Sequence, residues 1–423
     1  MNIRSNSLRA MQDEHIDTGQ LQINITSNAN SYPITNATIQ ISYTGMPNST
    51  LEQLNTNASG QSETIDLAAP PLEYSLNPQN ELMPYSEYTL NISAPGFKSI
   101  SISGVEILSS VKAIQNVRMS PREALNEVVY AIPDHTLYGD YPPKIAEPEI
   151  KPTNETGEIV LSRVVVPEFV IVHDGPPSDP GSKNHYVKYK DYIKNVASCE
   201  IYATWPADTI RANVLAIMSF TLNRVYTEWY RNQGYNFTIT SSTAFDHKWI
   251  PERNIYNTIS NIVDEIFSNY LSRPNVRQPI LTQYCDGRQV SCPNWMTQWG
   301  SMELGDQGYT PIEIIRHYYG DNMYINTAQE ISGIPSSWPG ENLQVGSNGA
   351  KVLQMQEQLN RIAEAYPAIP KIAADGIYGP DTAATVRKFQ SVFGLPANSL
   401  VDYPTWYKIS EIYVAVSRIA ELQ

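Results

Sequence analysis

The first part of the chain alternates apolar and polar positions with a period of two. The alternation is clear at Leu21, Ile23 and Ile25 and resumes at Ile39, with turns rich in Asn, Ser, Pro and Gly between the runs. A period of two places the apolar side chains on one face of a strand. We therefore expect residues 1–120 to form a small antiparallel β-sandwich.

The middle of the chain changes to helical spacing from about residue 189. Apolar positions three and four residues apart form one face of a helix, so this spacing predicts several helices between shorter strands. Thr310-Pro-Ile-Glu313 has the form of a capping box and predicts a helix that stops near Gly320. These features predict a central α+β domain over residues 167–334. Two apolar stripes define its other helices, Ile210, Val214, Ile217, Leu222, Val225 and Trp229 in the first and Ile255, Ile259, Ile262, Ile266 and Tyr270 in the second.

The last segment, residues 343–423, contains three amphipathic patterns and predicts a three-helix bundle. A short linker at 335–342 precedes it. The three stripes are Val352, Met355, Leu359 and Ile362, then Val386, Phe389 and Phe393, and finally Ile409, Ile412, Val416 and Ile419. The chain as a whole is therefore predicted to be multidomain.

Residues 121–166 are rich in proline and acidic side chains, most densely from Tyr141 to Pro152. Proline lacks a backbone donor and favours extended backbone, so this stretch is predicted to be an exposed linker. Exposed linkers are preferred sites of proteolysis, and a processing site is expected here.

Composition narrows the possible functions. The 423 residues carry a net charge of -14 with a sequence pI near 4.9, which argues against nucleic acid as a partner because phosphate binding needs a basic face. The sequence shows neither a signal-peptide pattern at its start nor an apolar run long enough for membrane insertion. Cys285 and Cys292 could close a hairpin as a disulfide or remain thiols, and with Cys199 they are too few for a disulfide scaffold. We expect no metal site, because the histidines show no paired spacing, and no cofactor.

The C-terminal segment carries a series of short motifs in a fixed order. Asp375-Gly-Ile-Tyr-Gly379 follows a helix that begins near Val352 and precedes Val386-Arg-Lys-Phe-Gln390. This order resembles the peptidoglycan-binding domain of many wall hydrolases. The resemblance implies a non-catalytic module that binds the wall through Asp375, Gly376, Tyr378 and Gly379. In physical terms, the glycines permit a tight loop, and Asp381 or Thr382 is placed to cap the next helix.

The central segment carries a second resemblance. Tyr192 to Pro206, with Ser-Cys-Glu-Ile-Tyr-Ala-Thr-Trp at its centre, and the closing run from Thr297 to Tyr319 resemble the stage II sporulation protein D family. The resemblance implies that Glu200 is the catalytic acid. It also implies a substrate groove that contains Tyr202, Trp205, Gln298, Trp299 and Gly300.

The local pattern around Glu200 supports the same role. In a helix over 189–200, Glu200 lies on the same face as Val196 and Ile193. A carboxyl group against apolar neighbours is desolvated, which favours its protonated form and prepares it as a general acid. The alternative is that Glu200 pairs with an arginine such as Arg211 or Arg224.

The spacing places no second carboxylate beside Glu200, whereas a glycosidase ordinarily needs two. The resemblance therefore implies lytic transglycosylation, in which one carboxyl acts first as acid and then as base. A hydrolytic N-acetylmuramidase, a different wall enzyme such as an amidase or peptidase, and a non-catalytic wall-binding protein remain alternatives.

The order of the predicted domains also resembles that of spore cortex-lytic enzymes. That resemblance implies an inactive precursor stored in the spore at the cortex or coat-cortex region. It further implies an activating protease, cortex peptidoglycan as partner and a role in germination. Residues 1 to about 130 would then be a removable pro-region that covers the groove.

Overall fold

The computed structural model describes residues 16–46, 49–122, 127–151, 163–328, 330–332 and 338–417. Within these residues the chain forms nine α-helices and several mixed or small sheets. Parts of the predicted linkers, and Ile419 of the last predicted helix, lie outside the described residues. No helix among the described residues combines the length and the apolar composition that a membrane crossing requires.

The N-terminal region contains two sheets that share one apolar core. The first has the order β7-β1-β4, with the strand Ile255–Tyr256 of the central region added beside β7, and the second has the order β3-β2-β5-β6-β8. Alternate residues such as Leu21, Ile23 and Ile25 are fully buried, as the period of two predicts. The strands are β1 Asp17–Ser27, β2 Thr38–Tyr43, β3 Thr50–Asn55, β4 Ile65–Ala69, β5 Ser86–Ser93, β6 Ile100–Ile107, β7 Lys112–Met119 and β8 Val128–Ala131, with a short helix α1 at Glu73–Leu76.

The predicted purely antiparallel arrangement is wrong. Strand β1 pairs with β7 in parallel, and β6 pairs with β8 in parallel. The other neighbours in these sheets pair antiparallel. Strand direction depends on which distant segments meet, and period-two alternation is the same in both directions.

The central region is mixed α and β. Its first strand, Val165–Val166, and its last strand, Glu330–Ile331, pair in parallel, so the two ends of the region lie side by side. The strands are β9 Val165–Val166, β10 Phe169–His173, β11 Asn184–Lys188, β12 Ile239–Thr240, β13 Ile255–Tyr256, β14 Asn269–Ser272, β15 Tyr284–Cys285, β16 Met296–Thr297, β17 Tyr324–Thr327 and β18 Glu330–Ile331. The helices are α2 Tyr189–Glu200, α3 Ala207–Tyr226, α4 Asn257–Ile266, α5 Gln298–Asp306 and α6 Pro311–Tyr319.

The predicted helices of this region are present, with shifted ends. The capping box at Thr310 and Glu313 is formed, and Gly320 ends that helix. Helix α3 stops at Tyr226, so Trp229 lies beyond it. Ile255 and Tyr270 lie in strands β13 and β14 rather than in helix α4, because both pair with residues remote in sequence.

The N-terminal and central regions are joined by shared backbone pairing and by a buried ion pair. Strand β13 extends the first N-terminal sheet. Beside it, the guanidinium of Arg253 pairs with both carboxylate oxygens of Glu106, and both side chains are completely buried. Burial opposes the charge on Arg253, but the Glu106 carboxylate more than offsets this and keeps the pKa of Arg253 above its ordinary value.

The proline-rich segment differs from the exposed linker that its composition predicts. Residues 132–151 run along the surface of the central region, with His135, Tyr141 and Lys151 buried. Backbone groups of the segment, which proline-rich chains cannot pair among themselves, bond instead to the central region, for example from Ile145 N–H to the carbonyl of Ala244 at 2.8 Å. The segment is therefore docked wherever the structure describes it up to Lys151.

The C-terminal region contains three helices, α7 Ala350–Ala365, α8 Pro380–Val392 and α9 Tyr403–Ser417. Their buried residues include the predicted stripes at Val352, Leu359, Val386 and Phe389. Helix α9 contacts both α7 and the central helix α4. The apolar stripes thus bury against neighbouring helices, as their spacing predicts.

A network of buried charges docks α9 onto the central region. Asp264 accepts bonds from Lys190 at 3.1 Å and Lys194 at 2.7 Å, and Lys190 also pairs with Glu411 of α9 at 2.8 Å. Burial opposes the ionised form of Asp264, but Lys190 and Lys194 outweigh burial and hold its pKa well below the ordinary value. The pKa of Glu411 is lowered in the same direction, again with burial opposing the lysines.

We expect this docking to weaken in acid. A carboxyl with a depressed folded-state pKa contributes stability that is fully present above its unfolded pKa of about 3.9 and is lost as the pH falls through the folded value. The hydrogen-exchange protection of helix α9, corrected for the intrinsic exchange rate at each pH, should therefore fall below about pH 4. Asp264→Asn should already show lower protection at neutral pH and lose much of the further decrease. Equal acid profiles for this variant and the unaltered chain would contradict the expectation.

Candidate active site

Glu200 is the last residue of helix α2, and its side chain is completely buried. Val196 and Ile193, one and two turns earlier on the same face, are equally buried. The predicted helix and the predicted burial of this carboxyl group are therefore both present, although the groups that contact the carboxyl are N–H donors rather than apolar side chains. The general-acid role itself stays a prediction.

Two N–H donors fix the orientation of the Glu200 carboxyl. The backbone N–H of Lys248 donates to Oε1 at 2.8 Å, and Nε2 of Gln298 donates to Oε2 at 3.2 Å. The same Gln298 nitrogen donates to the backbone carbonyl of Glu200 at 2.8 Å. Gln298 begins helix α5, so the two helices that carry the predicted site motifs meet at this carboxyl group.

The alternative in which Glu200 pairs with Arg211 or Arg224 is wrong. Arg211 pairs with Glu265 at 2.7 Å, and Arg224 pairs with Asp246 at 2.7 Å and with Glu147. Among the described residues, no lysine or arginine forms a salt bridge with Glu200. A buried carboxyl group without an ion-pair partner is available for other chemistry.

Three of the predicted groove residues form one aromatic cluster. The ring centroids of Tyr202 and Trp205 lie 6.0 Å apart, those of Tyr202 and Trp299 lie 6.0 Å apart, and those of the two tryptophans lie 5.1 Å apart. The cluster continues directly from Glu200, because Tyr202 follows it by two residues and Trp299 follows Gln298. Clustered aromatic rings provide the flat apolar faces that stack on sugars.

Gly300 has a packing role at this position. A Cβ added there would lie 2.2 Å from the Tyr318 hydroxyl oxygen and 2.3 Å from Oγ1 of Thr297. Glycine therefore lets the first turn of α5 approach α6 closely, which places Gln298 against Glu200. The structure does not direct Gly300 itself toward the aromatic cluster.

The N-terminal region covers this cluster. Nε1 of Trp205 donates to the carbonyl of Ser75 at 2.9 Å, and the His135 ring stacks on Tyr202 with 4.5 Å between centroids. Tyr202, Trp205 and Trp299 are consequently all buried. A cavity of about 440 Å³ remains beside Tyr202 and Trp299, walled by Tyr74, Tyr138 and other residues of the covering chain.

Two residues of the covering segment approach Glu200, and sequence analysis missed both. Tyr141 is buried near Glu200 and Asp286, and burial followed by these two carboxylates raises the pKa of Tyr141 well above its ordinary value. Lys144 donates from Nζ to the carbonyl of Asp246 at 2.8 Å and lies 4.5 Å from the Tyr284 ring centroid. Burial lowers the pKa of Lys144 although the Glu200 carboxylate opposes the change. The sequence does contain a signal for this contact, namely Tyr141 beside two prolines, because an aromatic side chain in an extended segment can anchor that segment to a protein surface.

Asp286 is the second carboxylate of this neighbourhood. Its two oxygens accept the backbone N–H groups of Gln289 at 2.6 Å and Val290 at 3.0 Å, so it caps a tight loop. Cys285 and Cys292 form a disulfide around the same loop. Asp286 is therefore held as a structural cap beside the site.

The predicted wall-binding residues form a loop that helix α7 holds in place. Gln356 of α7 donates to the Asp375 carboxylate at 3.1 Å and to Thr382 Oγ1 at 3.1 Å, and it accepts the N–H of Gly376 at 2.8 Å. Gly376 has φ +74°, which favours glycine. Tyr378 is buried, and its hydroxyl donates to the Ser399 carbonyl at 2.7 Å.

Two predictions about this loop are wrong. Gly379 has φ -94°, which any residue adopts, so the tight backbone needs glycine only at Gly376. Neither Asp381 nor Thr382 caps helix α8, which begins at Pro380 without a side-chain cap. Thr382 bonds to Gln356 instead.

The same arrangement recurs one helix later. Gln390 of α8 donates to Asn398 at 3.0 Å and to Thr405 Oγ1 at 3.2 Å, and it accepts the N–H of Ser399 at 2.9 Å. Ser399 has φ +64°, the counterpart of the left-handed glycine in the first loop. We call each set of contacts a glutamine clip.

Comparison with known proteins identifies the C-terminal module. Residues 348–409 match the family model described as a putative peptidoglycan binding domain. The C-terminal region carries a peptidoglycan-binding domain. Both glutamine clips lie within the matched residues, so they belong to the framework of that domain.

Other matches cover limited parts of this chain. The zinc D-Ala-D-Ala carboxypeptidase of Streptomyces albus G is 39% identical over 77 residues, which are 18% of this chain and 28% of that relative. The N-terminal domain of SleB is 26% identical over 18% of this chain and 99% of the solved chain, with a TM-score of 0.16. The Bacillus anthracis TIE protein is 12% identical over 25% of this chain and 17% of that chain, with a TM-score of 0.18. In the part of the chain that the structure describes, no three His, Cys, Asp or Glu residues are grouped to hold a metal ion.

Proposed function

We propose that this protein cleaves the glycan strands of peptidoglycan by lytic transglycosylation, with Glu200 as the single catalytic residue. The observation that carries the proposal is the carboxyl of Glu200, buried at the end of α2, held by Gln298 and Lys248, and adjacent to three clustered aromatic rings. The peptidoglycan-binding domain and the similarity to a wall-acting carboxypeptidase support peptidoglycan as the polymer on which the protein acts.

The proposed reaction uses one carboxyl group twice. Glu200 first donates its proton to the glycosidic oxygen as the bond from that oxygen to C1 of the muramyl residue breaks. The carboxylate then accepts the proton of the 6-hydroxyl group of the same muramyl residue while the oxygen of that hydroxyl group forms a bond to C1. No water is consumed, and the product ends in a 1,6-anhydro ring. Gln298 and the Lys248 N–H would keep the carboxyl aimed at the reacting atoms in both steps.

The muramidase alternative differs in needing a second carboxylate that activates water. Asp286 is near enough to influence Tyr141, as Glu200 does, but both its oxygens are occupied by backbone donors of its own loop. Glu200 likewise accepts one N–H donor on each oxygen, so this bonding does not separate the roles of the two carboxyl groups. Mass spectrometry of released muropeptides distinguishes the two, because anhydro ends are 18 Da lighter than hydrolysed reducing ends, and reducing ends alone would overturn the proposal.

We further propose that the chain is the precursor of a spore cortex-lytic enzyme, in the manner of SleC, which its predicted domain order resembles. In this proposal the N-terminal sheets are a β-sandwich pro-region, an activating protease removes the cover, and the processed enzyme acts on cortex during germination. The buried aromatic cluster supports latency, because Ser75 and His135 lie against Trp205 and Tyr202, where a stacked glycan strand would have to bind.

Weakening the cover near Glu200 is expected to raise the activity of the uncleaved chain. Tyr141→Ala with Lys144→Ala removes the two side chains of the covering segment that lie near the carboxyl and leaves its own hydrogen bonds intact. We expect glycan cleavage to rise about tenfold or more, since exclusion of substrate by as little as 1.4 kcal/mol corresponds to a factor of ten. The assay is release of soluble muropeptides from purified cortex.

The matched control is Ile150→Ala, because Ile150 belongs to the same segment and its side chain is exposed. This variant should resemble the unaltered chain. Activity of the double variant that stays at the level of Ile150→Ala, while proteolysed protein is active, would show that Tyr141 and Lys144 do not maintain latency.

A further inference from the structure

The second half of the covering segment occupies a groove in the central region. Gln283 brackets the segment, donating from Nε2 to the Ile145 carbonyl at 2.7 Å and accepting the Glu147 N–H at 2.8 Å. Gln278 does the same at Lys151, accepting its N–H and donating to its carbonyl, both at 2.9 Å. These bonds recognise only main-chain groups, so the groove can hold an extended peptide regardless of its side chains.

The groove makes a further backbone bond between the two glutamines. The N–H of Leu281 donates to the carbonyl of Glu149 at 2.9 Å. The bonded positions 145, 147, 149 and 151 alternate along the segment. Since the backbone groups of alternate residues of an extended chain point the same way, the groove forms its hydrogen bonds with one edge of the bound peptide.

Two arginines of the groove bind carboxylates two residues apart. Arg224 contacts both oxygens of Glu147 at 2.6 and 3.0 Å, and Arg273 contacts both oxygens of Glu149 at 2.5 and 2.8 Å. Such fork geometry gives strong and specific recognition of carboxylates. If the segment left, Arg224 would keep Asp246 as a partner, whereas Arg273 would lose its only carboxylate partner among the described residues.

The groove leads away from the candidate active site. The bound segment passes Glu200 at Lys144, whose ammonium donates to the carbonyl of Asp246 at 2.8 Å, two residues before the Lys248 N–H that Glu200 accepts, and it then enters the groove at Ile145. A ligand with a sugar at Glu200 would therefore extend any attached peptide along residues 278–283. The aromatic cluster belongs to other elements, α5 and the turn after α2, so sugar and peptide would be held by separate surfaces.

We propose that this groove binds an extended acidic peptide, namely the stem peptide attached to the muramyl residue at the cleavage site. The inference rests on the proposed function. Residues 144–151 occupy the groove in the uncleaved chain, with Glu147 and Glu149 in the places of the stem-peptide carboxylates. The groove then selects for strands that carry acidic peptides next to the bond being cut.

The test measures binding by calorimetry in the full-length chain, using the soluble tetrapeptide L-alanyl-γ-D-glutamyl-diaminopimelyl-D-alanine as probe. In the unaltered chain the tethered segment competes at an effective concentration in the millimolar range. Glu147→Gln with Glu149→Gln weakens this competitor without changing the groove. We expect the tetrapeptide to bind the double variant at least tenfold more tightly than the unaltered chain.

Arg273→Gln in the double variant tests whether Arg273 binds the tetrapeptide or only holds the chain's own segment in place. We expect it to reverse the gain at least tenfold, whereas Arg277→Gln, an exposed arginine outside the groove, should leave the gain unchanged. Equal tetrapeptide affinities of these two variants would overturn the proposal. So would equal affinities of the unaltered chain and the double variant.

A second probe verifies that the groove has kept its form. The acetylated octapeptide with the sequence of residues 144–151 should bind the double variant more tightly than the same peptide with both glutamates replaced by glutamine. Binding of this octapeptide without binding of the tetrapeptide would mean that the groove serves only its own segment, and would overturn the proposal. Neither probe is cleaved, so these outcomes are independent of whether Glu200 is catalytic.

Discussion

Replacing Glu200 by glutamine is expected to reduce glycan cleavage by the proteolytically activated chain about 10²- to 10⁴-fold, the range typical of a lost general acid or base. The amide keeps the size of the side chain and can still accept the Lys248 N–H, but it can neither donate a proton to the glycosidic oxygen nor accept one from the 6-hydroxyl. The assay is the rate at which new chain ends appear in purified cortex.

The matched control is Gln298→Glu, which keeps the length of the neighbouring side chain and removes its N–H donor to Glu200. We expect a smaller loss and a changed pH profile, because this variant retains the reacting carboxyl and alters its surroundings. Binding to wall polymer should be equal in all variants, since the C-terminal domain is untouched. Undiminished cleavage by Glu200→Gln would disprove the mechanism.

Breaking the buried pair between Glu106 and Arg253 is expected to produce the largest loss of stability. Removing one partner of a buried ion pair typically costs about 3–5 kcal/mol, because the remaining charge stays buried and unpaired. In Glu106→Ala, Arg253 would keep only the Ser198 carbonyl, which it contacts at 2.9 Å. Urea denaturation should show this loss in the transition that separates the N-terminal sheets from the central region.

The chain offers an exposed pair across the same interface as control. Arg118 and Asp191 lie 3.5 Å apart with side chains 59% and 42% exposed. Asp191→Asn should change the same transition by less than about 1 kcal/mol, as is usual for solvated pairs. Similar effects of the two variants would mean that the buried pair does not dominate this interface.

The parts of the fold that the sequence predicts well depend on local spacing. Helix α2 and the buried position of Glu200 follow from apolar residues one turn apart, and the capping box at Thr310 and Glu313 is complete within four residues. The order of short motifs also predicted the peptidoglycan-binding domain that the family match confirms. In each case the residues that decide the structure are near neighbours in the chain.

The parts that the sequence did not predict depend on distant partners. The proline-rich segment was interpreted as an exposed linker, yet Gln278, Gln283 and two arginines more than seventy residues away hold its backbone and its glutamates. Proline-rich composition indicates extended backbone, and that same conformation suits both a solvated linker and a groove-bound peptide. The local sequence therefore cannot distinguish a solvated linker from a segment bound in a groove.

The candidate groove was predicted residue by residue and the resemblance implied a cover over it, but the residues that form the cover were not predicted. Tyr202, Trp205 and Trp299 do come together, because the motifs after α2 and at the start of α5 meet at Glu200. Their burial depends on Ser75 and His135, which belong to segments with no recognisable motif. Gly300 was assigned to the groove, although its contacts show that it is needed where two helices pack closely.

The two glutamine clips make the C-terminal domain a short tandem duplication in geometry. In each copy a glutamine of one helix forms hydrogen bonds with the turn that precedes the next helix. The threonine follows the acceptor side chain by seven positions in both copies, Thr382 after Asp375 and Thr405 after Asn398. The two glutamine clips therefore fix the orientation of each helix relative to the helix before it. A substitution in this domain therefore preserves the framework where it keeps the glutamine and the threonine of each clip together with an oxygen acceptor between them, as both Asp375 and Asn398 provide.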